Sequence, residues 1–511
     1  MRACRDIELN GDPTLPYRLV SEMSDSPILR DGDVANKLFN DISETDLDLR
    51  LRHNILVRIM KVGAFPKILL SNYDNKRTIS FYLPKTWRDF FNNLHLQVSW
   101  KSEFRWILLQ IRCLGASFIK TFRLTTFSLK HNNIKPESNY WIVENVPKGA
   151  LAKLPSDKTS VTFISFLADL LKKQGAIGPA WVTKINQVET QNGSNHQLAT
   201  LPFPSLGSYK KTLIFFSFGL KISVRALIGW IFGSSAIAIL SSDAVEAKYI
   251  EILDLDRLPT WYLMTNSQIG ARAPWTFVAE RRDVKIGMVF YSTNNKPLQF
   301  SNQPPFSVYP GYQLLNWPRY FVWDKYHADW VRSVVVGDPE IIETGYIPVL
   351  DRYEDSQEFS KQTVAVFDMS IQRPSLYAEL GITRIYYSDE IVRTFLFEIQ
   401  KVLEKFEKIM VVKPKRYNTT NSKIYNSTLK KLAQKKNVIL LEPTAGVKNI
   451  INNSAATISI PFTSTGVVAD LHGKPSAFFD PINVLEQNEN TSHGIPLLQS
   501  KQALEEWVAK L

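Results

Sequence analysis

Cysteine is nearly absent from this chain. Of 511 residues, two are cysteine, Cys4 and Cys113, and their separation makes neither a disulfide framework nor a metal-binding spacing. A disulfide framework is therefore not expected, and a reducing compartment is expected over a secreted one. Also missing is an unbroken apolar run of the roughly 20 residues that a spanning helix needs. Residues 212–240 (TLIFFSFGLKISVRALIGWIFGSSAIAIL) come nearest, but Lys221 and Arg225 divide them into two shorter runs. The segment reads either as a buried helix and strand of a soluble core or as an interfacial helix held against anionic lipid. Residues 101–124 mix aromatics with Lys and Arg at helical spacing and could do the same. The opening MRACRDIELNGD turns acidic within a few residues and has no apolar h-region, so no signal peptide is expected.

What is present is ample apolar material: 44% hydrophobic and 12% aromatic residues. At a prior of roughly 150 residues per domain, this length suggests about three units. The 61 Lys and Arg outnumber the 49 Asp and Glu, giving a net charge of +12 that favours anionic partners.

Organisation is clearest in the last third. Apolar strands TVAVFDM, KIMVV (408–412), NVILL (437–441), ATISI and 475–479 alternate with helical stretches at 389–406, 422–435, 444–452 and 464–472. Continuous apolar strands with short helical crossovers predict a doubly wound parallel sheet. The middle third repeats the pattern less regularly, with strands expected at 261–264, 284–290, 319–323 and 333–336 (SVVV) and a helix at 243–253. The expected fold class is α/β, two Rossmann-like domains facing a cleft, after an N-terminal accessory region. The expected divisions are residues 1–150 (accessory region), 151–350 (first Rossmann-like domain), 351–362 (polar linker), 363–490 (second Rossmann-like domain) and 491–511 (tail with a docking helix).

Two motifs fall where such folds bind ligands, at the carboxyl ends of the strands. Strand ATISI runs into Pro461-Phe462-Thr463-Ser464-Thr465-Gly466 and then into a helix. A strand, a hydroxyl-rich turn and a helix N-terminus in succession form an anion site from backbone donors. Ser464 or Thr465 is expected to cap the helix, with the hydroxyls of Thr463–Gly466 facing outward. Strand KIMVV runs into Lys413-Pro414-Lys415-Arg416, whose three cations suit a phosphate; a solvated charge run is the bland alternative. Asp480, before Pro481, is read either as accepting from a ribose or sugar hydroxyl or as stabilising a turn, and Asp368 has the same ambiguity.

The ordered set TVAVFDMSIQRPSLYAELGI, VVKPKR, SIPFTSTG and KPSAFFDP, with PTWYLMTNSQ, PWTFVAE, MVFYSTNN and WPRYFVWDKYHADW upstream, resembles the bacterial surface-polysaccharide biosynthesis proteins named for a Pro-Phe-Thr-Ser motif. The resemblance covers roughly residues 244–481. It implies a GT-B-type glycosyltransferase with a nucleotide-sugar donor and a glycan or lipid-linked glycan acceptor, acting on O-antigen lipopolysaccharide or capsule. More distantly, the paired motifs are similar to those of sialyltransferases and Kdo transferases, which hold CMP-sugars; Lys413-Pro414 stands where those enzymes have His-Pro. The resemblance implies a bacterial cytoplasmic protein, with peripheral contact to the inner membrane as an option. No cofactor and no nucleic-acid partner are expected.

The chemistry assigns roles independently. A departing nucleotide's charge must be met by preorganised cations and helix-terminal N–H groups, here Lys413, Lys415 and Arg416 with Thr463, Ser464, Thr465 and Gly466. Asp254-Leu255-Asp256 has metal-binding spacing but lies in the other domain and reads as surface carboxylates, so the reaction is expected to be metal-independent. The general base should come from across the cleft. Asp324 is the first candidate and Glu280 the second, although either could cap a helix or pair with a neighbouring cation; His327 is a third titratable group. Tyr291, Ser292, Thr293 and Asn294 form a polar turn suited to acceptor hydroxyls. A nucleotide-sugar epimerase, a membrane-associated polyol-phosphate transferase and a non-enzymatic anion-binding protein are the competing classes.

Overall fold

The computed structural model describes residues 38–39, 41–61, 79–93, 96–132, 135–146, 163–176, 178–183, 196–199, 203–266, 270–293, 298–301, 311–348, 359–360, 362–369, 371, 386–415, 422–443 and 445–511. Their strands form two wholly parallel sheets. The first contains β1 (Trp141–Glu144), β2 (Ala180–Thr183), β3 (His196–Ala199), β4 (Trp261–Asn266), β5 (Lys285–Phe290), β6 (Arg319–Val322) and β7 (Glu340–Glu343) in the order β3-β2-β1-β4-β5-β6-β7. The second contains β8 (Thr363–Phe367), β9 (Ile409–Lys413), β10 (Val438–Leu440), β11 (Ala456–Ser459), β12 (Ser476–Phe479) and β13 (Leu497–Leu498) in the order β10-β9-β8-β11-β12-β13. The α/β fold of two Rossmann-like domains expected from the sequence is thus the one observed.

The strands explain why their sequences run apolar without interruption. Side chains alternate faces along a strand, and in the first sheet each face meets a different core. Tyr262, Ile286, Met288, Tyr320 and Val322 enter one hydrophobic cluster, whereas Trp261, Leu263, Val289 and Phe321 enter the other. With both faces covered, the interior positions of the central strands β4, β5 and β6 are largely apolar on both sides, and charged residues such as Lys285 and Arg319 stand at strand ends.

Helices α1 (Glu44–Lys61), α2 (Lys85–Asn93) and α3 (Lys101–Lys130) precede β1, and α4 (Phe163–Lys172) joins β1 to β2. Between β3 and β4 stand α5 (Tyr209–Ile231) and α6 (Ser235–Ile252), followed by α7 (Pro274–Glu280) and α8 (Lys325–Val334) at later crossovers. Much of α6 is buried, and its Asp243 accepts a two-pronged bond from Arg50 of α1, Nε–Oδ2 3.1 Å and Nη2–Oδ1 3.0 Å. In the second domain α9 (Asp389–Lys405), α10 (Lys423–Leu432), α11 (Val447–Asn452), α12 (Ser464–Leu471), α13 (Glu489–Ser492) and α14 (Lys501–Val508) complete the layers. The expected docking helix at the end of the chain is α14, which buries Leu504 and Val508 and reaches α9 through the Lys405–Glu505 ion pair (2.7 Å).

Three local expectations are corrected. Residues 333–336 are not a strand: α8 buries His327, Trp330, Val331 and Val334 on one face and takes in Ser333 and Val334, Val335 is its C-cap, and the edge strand is β7. Residues 212–240 form helix α5 and the start of α6, with no strand, because Gly233 at φ 92 permits a tight helix–helix turn. The first domain also begins before residue 151, since β1 is an interior strand of its sheet and α3 packs on α5 and α6. Apart from residues 359, 360 and 362, the expected linker at 351–362 lies outside the described residues.

Chain segments from the two domains meet directly. Ser301 N donates to Val484 O (2.9 Å) and Glu486 N to Gln299 O (2.9 Å), an antiparallel bridge of second-domain backbone onto the first. Tyr346 and His472 stack edge to face with ring centres 5.5 Å apart.

Candidate active site

Strand order reverses in each sheet, and a crevice opens at the carboxyl edge where it does. In the second sheet the reversal falls between β8 and β11. The residues leaving those two strands are Asp368 on one side and the Ile460–Gly466 turn on the other. Next to β8 comes β9, which ends in Lys413 paired in register with Phe367. Both sequence motifs therefore converge on the switch point.

The turn differs from its expected form in detail. Thr463, not Ser464 or Thr465, occupies the N-cap of α12, with extended backbone and no side-chain cap bond. Its hydroxyl donates instead to Ile460 O (3.0 Å) and lies 3.1 Å from that of Thr465, which in turn lies 3.0 Å from Ser459 Oγ. Thr463 and Thr465 thus stitch the turn together from within and do not face outward. Ser464 faces the other domain: its Oγ lies 3.3 Å from Ser292 Oγ and 3.4 Å from Thr293 Oγ1. Phe462 is held at φ 59, a left-handed conformation rare for a bulky residue, with its ring against Phe478. Gly466 serves packing: a Cβ there would stand 2.6 Å from Phe478 Cε1. Its absence lets α12 settle on β12 and start at the sheet edge, turning first-turn N–H groups and the positive dipole end toward the crevice.

Asp368 is buried and accepts from Lys415 N (2.9 Å) and the Tyr425 hydroxyl. Burial raises its pKa from 3.8 to about 6, against the opposing pull of those donors and of the Lys413 and Lys415 charges. Lys413 is itself largely buried, and Lys415 Nζ lies 3.0 Å from Met369 Sδ. Lys413 and Lys415 are therefore gathered around a carboxylate, unlike cations of a solvated run. Arg416 and Asn294 lie outside the described residues.

Asp480 takes the turn-building alternative. Its Oδ1 accepts from the Tyr386 hydroxyl (2.8 Å) and Ile482 N (3.2 Å), and its Oδ2 from Val484 N (2.7 Å) and Leu485 N (2.9 Å). Four donors engage both oxygens of this fully buried group, which leaves no position for a ribose hydroxyl.

On the opposite wall, Tyr291, Ser292 and Thr293 follow β5 at its carboxyl end, as expected. Glu280 is placed elsewhere. It ends α7, five residues before β5 begins and so near the opposite edge of the sheet, and is tied to Arg272 at 2.6 Å. This pairing and position correct its assignment as a base. Asp254 and Asp256 pair with Lys211 and Lys135, in keeping with surface carboxylates.

Asp324 caps α8, its Oδ1 accepting from His327 N at 2.8 Å, while its Oδ2 lies 2.7 Å from His493 Nδ1 in the second domain. Burial would raise its pKa, but the His493 hydrogen bond and charge and the cap bond together hold it below the ordinary value of 3.8. A carboxylate can only accept, so the proton lies on His493 Nδ1 and, in the neutral imidazole, Nε2 carries the lone pair. Burial lowers His327 to about 3, so it stays neutral. Thr293, Tyr326, His327, Trp330, Asn490, Thr491 and His493 line one small cavity between the domains. Asp470 of α12 lies within electrostatic reach; its pKa is raised by burial and by Asp324. His493 is the residue sequence reading missed. A solitary histidine in a polar loop gives no spacing signal, and its partner is 169 positions away.

A family model described as "Polysaccharide biosynthesis PFTS motif protein" matches residues 222–508. No curated protein sequence matches the chain. Among solved structures, a UDP-GlcNAc 2-epimerase from Methanocaldococcus jannaschii aligns at 12% identity and TM-score 0.38, covering 72% of this chain and 91% of that one. A UDP-glucosyltransferase from Polygonum tinctorium aligns at 10% identity and TM-score 0.37, covering 74% and 90%. The wall teichoic acid polymerase TagF aligns at 10% identity and TM-score 0.35, covering 80% and 91%.

Proposed function

The chain belongs to the polysaccharide biosynthesis PFTS motif family, and on that premise we propose that it is a glycosyltransferase, moving a sugar from a nucleotide-sugar donor to a growing surface polysaccharide such as O-antigen or capsule. The observation that carries this reading is the position of Ser464. It begins a helix at the switch point of one sheet and faces the hydroxyl-rich Ser292–Thr293 turn at the carboxyl edge of the other. A donor held there presents its phosphate to the α12 N-terminus and to Lys413 and Lys415, and its sugar to the opposite wall.

In the reaction, the acceptor hydroxyl attacks the anomeric carbon as the bond to the donor phosphate breaks. Negative charge grows on the departing phosphate oxygen, and fixed cations and amide dipoles stabilise it most when they need no reorganisation. The proton leaving the acceptor goes to His493 Nε2, with Asp324 holding the ring in the required tautomer and balancing its charge. The Asp324 assignment thus passes from base to orienting partner, since both its oxygens are engaged. The donor charge is met by these residues in a metal-independent reaction, and CMP remains a candidate nucleotide beside UDP and GDP.

A panel of CMP-, UDP- and GDP-sugars tests the proposal. Release of one nucleotide that requires an added glycan acceptor, and persists in chelator, is the expected result. Conversion of a donor sugar into its epimer without acceptor would replace the transferase by the epimerase reading.

A further inference from the structure

Helices α3 and α5 expose a surface that the proposed chemistry does not use. The two pack closely: a Cβ on Gly219 would come within 2.5 Å of Thr121 Cγ2, and Phe122 meets Phe216 edge to face at 5.4 Å. Each has a buried side, on α5 the row Thr212, Phe215, Gly219, Ser223 and Ala226 at helical spacing. The other side is apolar and open. Phe104, Ile111 and Phe122 recur along one line of α3; Leu213 and Ile231 lie on α5, and Phe232, 85% exposed, sits at its end. Phe122 touches both helices and makes the two faces one continuous patch, of the kind that marks an interaction site.

Charge decides the occupant. Arg112, Arg123 and Lys130 follow one another at intervals of eleven and seven residues and so flank the apolar line of α3, while Lys210, Lys221 and Arg225 are exposed on α5. Carboxylates are nearly missing: α5 has none, and the single one on α3, Glu103, is paired with Arg88 at 3.3 Å. A second copy of the chain would set these cations against the same cations. An anionic bilayer offers both an apolar interior and the complementary sign.

We propose that the α3–α5 face docks the protein on an anionic membrane surface, with the two helices lying in the interface. Among the described residues α5 is the one helix long and apolar enough to cross a membrane, but Lys221 and Arg225 stand in its middle and its inner row is packed against α3. It lies on the bilayer and does not traverse it. Such docking holds the cleft near a lipid-linked acceptor.

Flotation of the full chain with phosphatidylcholine vesicles, with and without about 30% phosphatidylglycerol, tests this. The protein is expected to float with the anionic vesicles alone and to be released at about 1 M salt, where charges are screened within a few ångströms. Leu213→Glu with Phe232→Glu should lower the bound fraction more than about tenfold with the circular dichroism spectrum unchanged. Lys210→Glu with Lys221→Glu and Arg225→Glu should abolish the preference for anionic lipid. Failure to float, equal flotation on neutral vesicles, retention through both high salt and alkaline carbonate, or a dimer in sedimentation velocity broken by Leu213→Glu would each overturn the proposal.

Discussion

Burial keeps a proton on Asp368 at pH values where an exposed carboxylate would have lost it. Because its pKa is raised from 3.8 to about 6, the native state binds that proton more tightly than the unfolded chain does. The resulting stability is fully present below the unfolded value and is lost as pH rises through about 6. Thermal unfolding of wild type relative to Asp368→Asn should therefore drop between about pH 4 and pH 7. Ionisation also places a negative charge beside Lys413 and Lys415. Nucleotide affinity should accordingly rise about fivefold on acidification through this range in wild type and stay flat in Asp368→Asn, as calorimetry would record. Gly466 is the other residue with a sharp consequence. Alanine there drives a methyl into the fixed Phe478 ring, and Gly466→Ala should lose about 1–3 kcal/mol in denaturant titration despite its better helix propensity. In the sequence Gly466 reads as part of an expected anion-site turn, but the structure gives helix-to-sheet packing as the reason for its small size, which spacing alone does not show.

At the level of elements, the strand–turn–helix of Ala456–Leu471 was legible because an apolar β-branched run, a proline and a hydroxyl cluster follow one another within a dozen residues. Which hydroxyl faces out was not legible, since Thr463 and Thr465 bond each other and Ser459 only once the chain has bent back. The start of α8 shows the same limit. Asp324 before KYHADW reads as a cap, and it is one, but its second oxygen belongs to His493. Asparagine can cap as well as aspartate, whereas alanine cannot. Asp324→Ala should cost about 1 kcal/mol or more of stability and Asp324→Asn much less, judged from denaturant midpoints. Turnover separates the roles: both variants should lose activity at least about tenfold, because neither holds the imidazole with a charge. Full activity in Asp324→Asn would leave the residue a cap and nothing more. The last turn of α8, within a segment expected as a strand, shows amphipathic burial overriding the β preference of Val334, the first of three consecutive valines.

For the whole molecule, the two-sheet architecture could be read from alternating apolar strands and helical crossovers, which constrain a parallel sheet to a few topologies. The extent of the first domain could not, because its interior strand β1 is separated from its neighbour β4 by more than a hundred residues of chain. Contacts between residues so far apart leave no local period in the sequence. To the whole molecule belongs also the proposal that the switch point of one sheet, facing the polar turn of the other, is a nucleotide site. Isothermal calorimetry of CMP, UDP and GDP against wild type, Ser464→Ala and Lys413→Ala with Ser464→Ala tests it most directly, circular dichroism serving to verify folding. The account predicts binding of one nucleotide by wild type, weakened about tenfold or more by Ser464→Ala and lost in the folded double variant. Equal binding in all three folded proteins, or none in wild type, would contradict it.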